Sequence, residues 1–249
     1  AVFLAACGSS DATVTTEIAI TETTISEATY PVTVGGLTLD AQPTRIVSLS
    51  PTATEMLYAI GAGDQVVAVD EYSNYPQEAV ALGTALSGYE PNIESISTYE
   101  PELVIVSYDP GGLVDQLKSL GIPVYIGDAA ASLDDVYVQI EQLGVLTGHT
   151  AEALQLSSQL QADIAAAVLE VTMPSTPLSY YYELDNTYYS VTSNTFVGQV
   201  FAQFGLRNIA DSAEAGNDYP QLSAEAIVSS DPDLIFLADT KYSKESIAT

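Results

Sequence analysis

The sequence predicts an α/β fold of two similar lobes joined by a single long helix, and three observations predict it. Residues 94–106 (ESISTYEPELVIV) and 225–237 (EAIVSSDPDLIFL) repeat one pattern at a constant offset of 131. Each copy reads as a short helix, a Pro-marked turn and a buried strand, so two units of like build share the chain. Strands alternate with helices on both sides of residue 150, the signature of parallel α/β layers. Between the copies, residues 150–171 run without Gly or Pro. Leu154, Leu156, Leu160, Ile164, Val168 and Val171 recur there at helical spacing. Twenty-two helical residues span about 33 Å, enough for a strut between lobes.

The elements follow in order. Residues 31–40 alternate apolar and polar positions around Gly35-Gly36, which predicts an edge hairpin. Arg45–Leu49 is a short buried strand. Ser50 can cap the helix behind it, Pro51 suits the first turn, Thr52 and Glu55 have capping-box spacing, and Gly61 ends the run. Strand 66–69 leads into a polar, aromatic loop, DEYSNYP. The first copy supplies strand 103–107. Gly111-Gly112 opens a helix over 113–120, and strand 122–126 and a helix near 133–146 complete the lobe, with Thr150 as the cap of the strut. Strand 178–183, a helix within 193–205 and strand 234–238 build the second lobe. The first lobe has a further helix and strand after its copy and the second does not, so the second lobe reads as truncated.

Composition narrows the function. The net charge is −28, with Arg45, Lys118, Arg207, Lys241 and Lys244 as the basic residues, so the footprint that nucleic acid requires is missing. The start, AVFLAACGSS, reads as the tail of a secretory signal (1–6) ending at Cys7. Leu4-Ala5-Ala6-Cys7 matches a lipobox, in which lipid is attached to the cysteine. Residues 7–30, rich in Ser, Thr, Ala and Glu, read as a lipid anchor and flexible tether. The expected layout is then a first lobe at 31–148, a backbone helix at 149–172 and an incomplete second lobe at 173–249. His149 is the lone histidine and cannot build a His-rich metal site, so no metal is expected and its role reads as capping or solvent-facing.

The segment RIVSLSPTATEMLYAIGAGDQVVAVD, then YSNYP, then EPELVIV, resembles the helical-backbone class of substrate-binding proteins of ABC importers. TSNTFVGQVFAQFGLRNIAD is similar to the pattern of that family's second lobe. The resemblance covers roughly residues 31–240 and is strongest to the cobalamin-binding branch, beside receptors for ferric siderophores and haem. It implies two Rossmann-like lobes with the ligand in the cleft between them, no chemistry on the ligand, an extracytoplasmic monomer and docking on a permease dimer. Glu94 and Glu225 align with a glutamate pair that meets arginines on the two transporter subunits. One carboxylate per lobe suits a two-fold partner, because carboxylate–Arg pairs are strong and geometrically specific.

The cleft should lie beyond the carboxyl ends of the strands. That rule gives Ser50, Pro51, Tyr72, Tyr75, Tyr89 and Tyr108 in the first lobe, and Tyr182, Tyr188 and Tyr189 in the second, as ligand-binding candidates. Tyr89 stands near where the cobalamin receptor places a tryptophan. The chain has no Trp but 16 Tyr, so phenol rings would replace indole as the apolar faces for a macrocycle. Phenolate could equally bind ferric or haem iron, which keeps both ligand classes open. The run YYYELDNTYY at 180–189 also fits a plain aromatic strand. A secreted carboxylate-dependent hydrolase is the enzyme alternative. Nothing favours it, since the sequence shows no Ser-His-Asp order, phosphate loop, Rossmann glycine pattern or HExxH. A surface adhesion module would fit anchor and tether but needs neither the strut nor the matched glutamates.

Overall fold

A computed structural model describes residues 29–84 and 86–239. The expected signal tail, Cys7, most of the expected tether and residues 240–249 lie outside the described residues. At the first described residues the Tyr30 hydroxyl donates to the Leu146 carbonyl at 3.0 Å.

The hairpin forms as expected. β1 (Val32–Val34) pairs antiparallel with β2 (Leu37–Leu39). Gly35 and Gly36 turn between them at φ +55° and +82°, which residues with a Cβ avoid. The first lobe then alternates strand and helix. β3 (Ile46–Leu49), α1 (Pro51–Ala59), β4 (Val66–Val69), α2 (Gln77–Ala81) and α3 (Ile93–Ser97) come first. β5 (Leu103–Val106), α4 (Leu113–Ser119), β6 (Val124–Ile126) and α5 (Leu133–Thr147) follow. The strands make one parallel sheet in the order β4-β3-β5-β6.

Both faces of this sheet are covered, which explains the continuous apolar runs in its strands. Ile46, Leu103 and Ile105 face one core with Met56 and Leu57 of α1 and Leu143 of α5. Val47, Leu49, Val104 and Val106 face the other with Ile96 of α3 and Leu113 and Leu117 of α4. The period-2 alternation of side chains divides each strand between the two layers.

Helix starts differ in detail from expectation. Ser50 does cap α1, its Oγ accepting from the Ala53 amide at 3.3 Å. With Ser50 as cap, Thr52 and Glu55 fall inside the helix and form no box. The capping box belongs instead to α5, where Ser132 accepts from the Asp135 amide and the Asp135 carboxylate accepts from the Ser132 amide. α6 (Thr150–Glu170) is the expected strut, and its 21 residues span about 31 Å. Its cap position is held by His149 and not Thr150, and no side chain caps it. The His149 ring lies instead against the Thr147 carbonyl, with Nδ1 at 3.0 Å.

α6 is buried only near its start, at Ala153 and Ser157, where it leaves α5. The helix then runs to the second sheet, parallel and ordered β8-β7-β9. Its strands are β7 (Ser179–Glu183), β8 (Arg207–Asn208) and β9 (Leu234–Leu237), with α7 (Phe196–Ala202) and α8 (Ala224–Ser230) between them. Strand β8 and helix α2 were not legible in the sequence: at two and five residues they are too short for a period to show, and they lie outside the repeat that marks the equally short α3. No helix of the described residues is long and apolar enough to cross a membrane.

Candidate functional site: the strand-end face of two lobes

Parallel strands place all their carboxyl ends on one side of a sheet. In the first lobe those ends open into Ser50-Pro51, the loop from Asp70, the loop from Ser107 and residues 127–131. In the second lobe they open into the loop from Leu184 and the segment leading to α7.

Ser50 is buried and spent on capping α1, with Pro51 half-buried beside it. Beneath them hydroxyls fix the loop after β4: Thr54 Oγ1 reaches Ser48 Oγ and Ser73 Oγ, both at 2.9 Å, and Ser73 donates to buried Asp70. That loop presents Tyr72, whose ring meets Tyr89 edge-on with centroids 5.6 Å apart. Tyr89 is brought there by Gly88, where a Cβ would lie 2.8 Å from the Leu49 carbonyl oxygen, so only glycine lets this chain press on the end of β3. Both rings are more than half exposed, at 54% and 66%. An open aromatic pair on a hydrogen-bonded loop is a ready face for a flat or bulky ligand.

The other candidates divide. Tyr108 follows β5 and is exposed. Tyr75 turns away from the Tyr72–Tyr89 pair and lines an outer depression of about 780 Å³ with Tyr58, Glu55 and Glu78. Tyr182 has its ring on Phe201, at 5.9 Å, within the aromatic packing of the second lobe. Tyr188 and Tyr189 are exposed and held by backbone bonds: Leu222 donates to the Tyr188 carbonyl and Leu184 to that of Tyr189. Tyr180 and Tyr181 are buried strand residues, as the plain reading of the aromatic run expected. Burial, with the charge of Asp211 second, pushes the Tyr180 hydroxyl up to about 12.

Where the two lobes meet, Ser50 joins residues that the sequence did not offer as ligand-binding. A cavity of about 300 Å³ is walled by Ser50, Thr52, Met56, Tyr125 and Asp128 of the first lobe and Phe196 of the second. Beside it, Gln199 Nε2 donates to the Ala131 carbonyl across the lobes at 2.9 Å and to the Asn194 carbonyl of its own lobe at 3.0 Å. Tyr125 donates to Gln142 Oε1 at 2.6 Å. Burial first, and the Asp128 charge second, raise its pKa to about 12, so it stands here as a neutral donor. Applying the strand-end rule to β6 would have found Asp128.

The turn into α7 is built from its motif TSNT. Thr195 caps the helix through the Gly198 amide, while Thr192 and Asn194 donate to Asp218 and Ser193 donates to Asp211. Gly198 lies so close to the Thr192 carbonyl that a Cβ would overlap it.

Glu94 and Glu225 occupy equivalent places. Each is the second residue of its helix, α3 or α8, and each is exposed. Asn92 caps α3 by accepting from the Ser95 amide at 2.8 Å, and Ser223 caps α8 by accepting from the Ala226 amide at 3.1 Å. Each carboxylate therefore stands at a helix start, where partial positive charge favours it. Glu94 borders, with Tyr89, a surface depression of about 560 Å³.

Comparison with known proteins agrees with this architecture. A family model described as periplasmic binding protein matches residues 46–249. A cobalamin-binding protein of Halobacterium salinarum is 35% identical over 205 residues, covering 80% of this chain and 55% of that protein. The chain thus spans about half the length of that relative. Among solved structures, the periplasmic vitamin B12 binding protein BtuF of Vibrio cholerae superposes with a TM-score of 0.64 at 30% identity, covering 80% of this chain and 78% of that one. The periplasmic haem binding protein HutB of Vibrio cholerae superposes with a TM-score of 0.71 at 25% identity, covering 82% and 79%. With its two α/β lobes, its connecting helix and a family model spanning both, the chain belongs to the periplasmic binding protein family, whose members bind ligands for transport and are not enzymes.

Proposed function

We propose that this protein is the extracytoplasmic receptor of an ABC importer, that it captures cobalamin or another corrinoid between its lobes, and that it hands the ligand to the permease. The observation that carries the ligand is the 35% identity to the Halobacterium cobalamin-binding protein. The exposed Tyr72–Tyr89 pair at the cleft end of the first lobe gives a macrocycle an apolar face. The likeness to the haem-binding HutB favours haem, with ferric siderophores beside it, as the second reading.

Docking would use Glu94 and Glu225, one per lobe, against arginines of the two permease subunits. Lobes at 31–148 and 173–249, with 149–172 as the backbone helix, are the domains of this reading. Cys7 would carry lipid and residues 7–30 would tether the receptor to the membrane, so that a monomer stays near its importer.

Calorimetric titration of the purified protein with cyanocobalamin, beside haem and a ferric siderophore, tests the ligand. Tight one-to-one cobalamin binding is expected. Heat from an iron ligand with none from cobalamin would transfer the cleft to the second reading.

A further inference from the structure

Among the described residues, the strand-end side of the molecule carries acidic side chains and no basic ones. Acidic residues stand at or just after the strand ends: Asp70 after β4, Asp109 after β5, Asp128 after β6, Glu183 and Asp185 at the end of β7, and Asp239 after β9. The basic residues among the described ones lie elsewhere. Arg45 precedes β3, and its guanidinium Nε donates to the Tyr99 and Glu100 carbonyls at 2.9 and 3.2 Å. Arg207 opens β8, beside Asp233 at the same far end, and Lys118 sits in the last turn of α4. His149 lies between α5 and α6.

One acceptor is buried and idle. Asp239 is 5% exposed, and no donor among the described residues reaches either of its oxygens. It lies near enough to Glu183 for its charge to join burial in raising that carboxyl's pKa. An ionised carboxylate only accepts hydrogen bonds. A buried one without a donor is costly, and fields focus where like charges line a low-dielectric cleft.

We infer that this cleft, read as the ligand site proposed above, selects ligands whose rim carries N–H donors, such as primary amides or ammonium groups, and rejects those whose rim carries carboxylates. Tyrosine faces would then supply affinity and the acidic rim would supply discrimination, since a repulsive element is as effective as an attractive one in setting specificity.

A matched pair tests this. Dicyanocobinamide keeps its peripheral amides, and the same macrocycle can be prepared with those amides hydrolysed to carboxylates. The carboxylate form should bind about tenfold or more weakly at low ionic strength. The gap should narrow in high salt and in a variant carrying Asp128→Asn and Asp185→Asn. Equal or tighter binding of the carboxylate form overturns the inference. If neither corrinoid binds, the corrinoid reading fails, and haem against its bis-amide decides the charge claim. Tighter binding of the bis-amide upholds it, while tighter or equal binding of haem, or binding of neither, overturns it.

Discussion

Residues 92–106 and 223–237 pass through the same devices at the same offset of 131. A side-chain cap opens the helix, a glutamate follows at its second residue, and an isoleucine, Ile96 or Ile227, is buried beneath it. The exit turn is the same too: Glu100 and Asp231 both take positive φ, at 47° and 44°. Two residues on, Glu102 accepts from the Thr44 amide and hydroxyl, and Asp233 accepts from the Ser179 amide and hydroxyl. Each carboxylate thereby pins the entry to its lobe's central strand. After that the copies part. β5 lies between β3 and β6 and is wholly buried, whereas β9 pairs only with β7 among the described residues, and Ile235 is 58% exposed. Chain geometry is thus set by local sequence, and burial by neighbours.

The largest effect should separate the strands. Val104 is fully buried and Ile235 is its counterpart in the repeat. Val104→Ala should cost about 2 kcal/mol, from lost transfer energy plus a cavity. Ile235→Ala should cost under about 0.5 kcal/mol. Urea unfolding of both variants checks the contrast, and equal costs would break it.

Docking should be symmetric where packing is not. Glu94→Ala and Glu225→Ala should each weaken stimulation of the reconstituted importer about tenfold, with ligand affinity unchanged. A loss confined to one variant would show that the lobes dock differently.

The pinning carboxylates should also match. Hydrogen bonds from Thr44, backbone first, hold Glu102 below the usual range, and those from Ser179 do the same for Asp233. A folded pKa below the unfolded one contributes stability above the ordinary carboxylate range and loses it as pH falls through the folded value. Stability should therefore decline between about pH 5 and pH 3, and less steeply in Glu102→Gln and Asp233→Asn, by similar amounts. Urea midpoints across that range measure it. The smallest effect belongs to the interlobe bond: Gln199→Ala should raise the ligand's dissociation rate a few-fold in stopped flow, worth about 1 kcal/mol or less. The rigid α6 predicts modest lobe motion, so no larger change is expected.

These contrasts show what the sequence could carry. Helix, turn and strand of each copy are written locally, as are the Gly35-Gly36 hairpin and the 21-residue α6, so they were legible. Tyrosine orientation was not. Tyr72 and Tyr89 meet across a loop that Gly88 lets close, while Tyr75 faces outward and Tyr182 packs on Phe201. Nothing in the spacing of residues 70–89 or 180–189 separates these outcomes, because side-chain partners come from elsewhere in the chain. Phe196 and Gln199 escaped notice for the same reason: their partners, such as Met56 and Ala131, lie far away in sequence.

We propose that the ligand is held by both lobes at their strand ends. Hydrogen–deuterium exchange of the protein with saturating cyanocobalamin tests it most directly. Protection of residues 70–76 and 86–92 in the first lobe together with 184–195 in the second is the predicted result. Protection in one lobe alone, or only at the outer depression around Tyr58 and Tyr75, would contradict it.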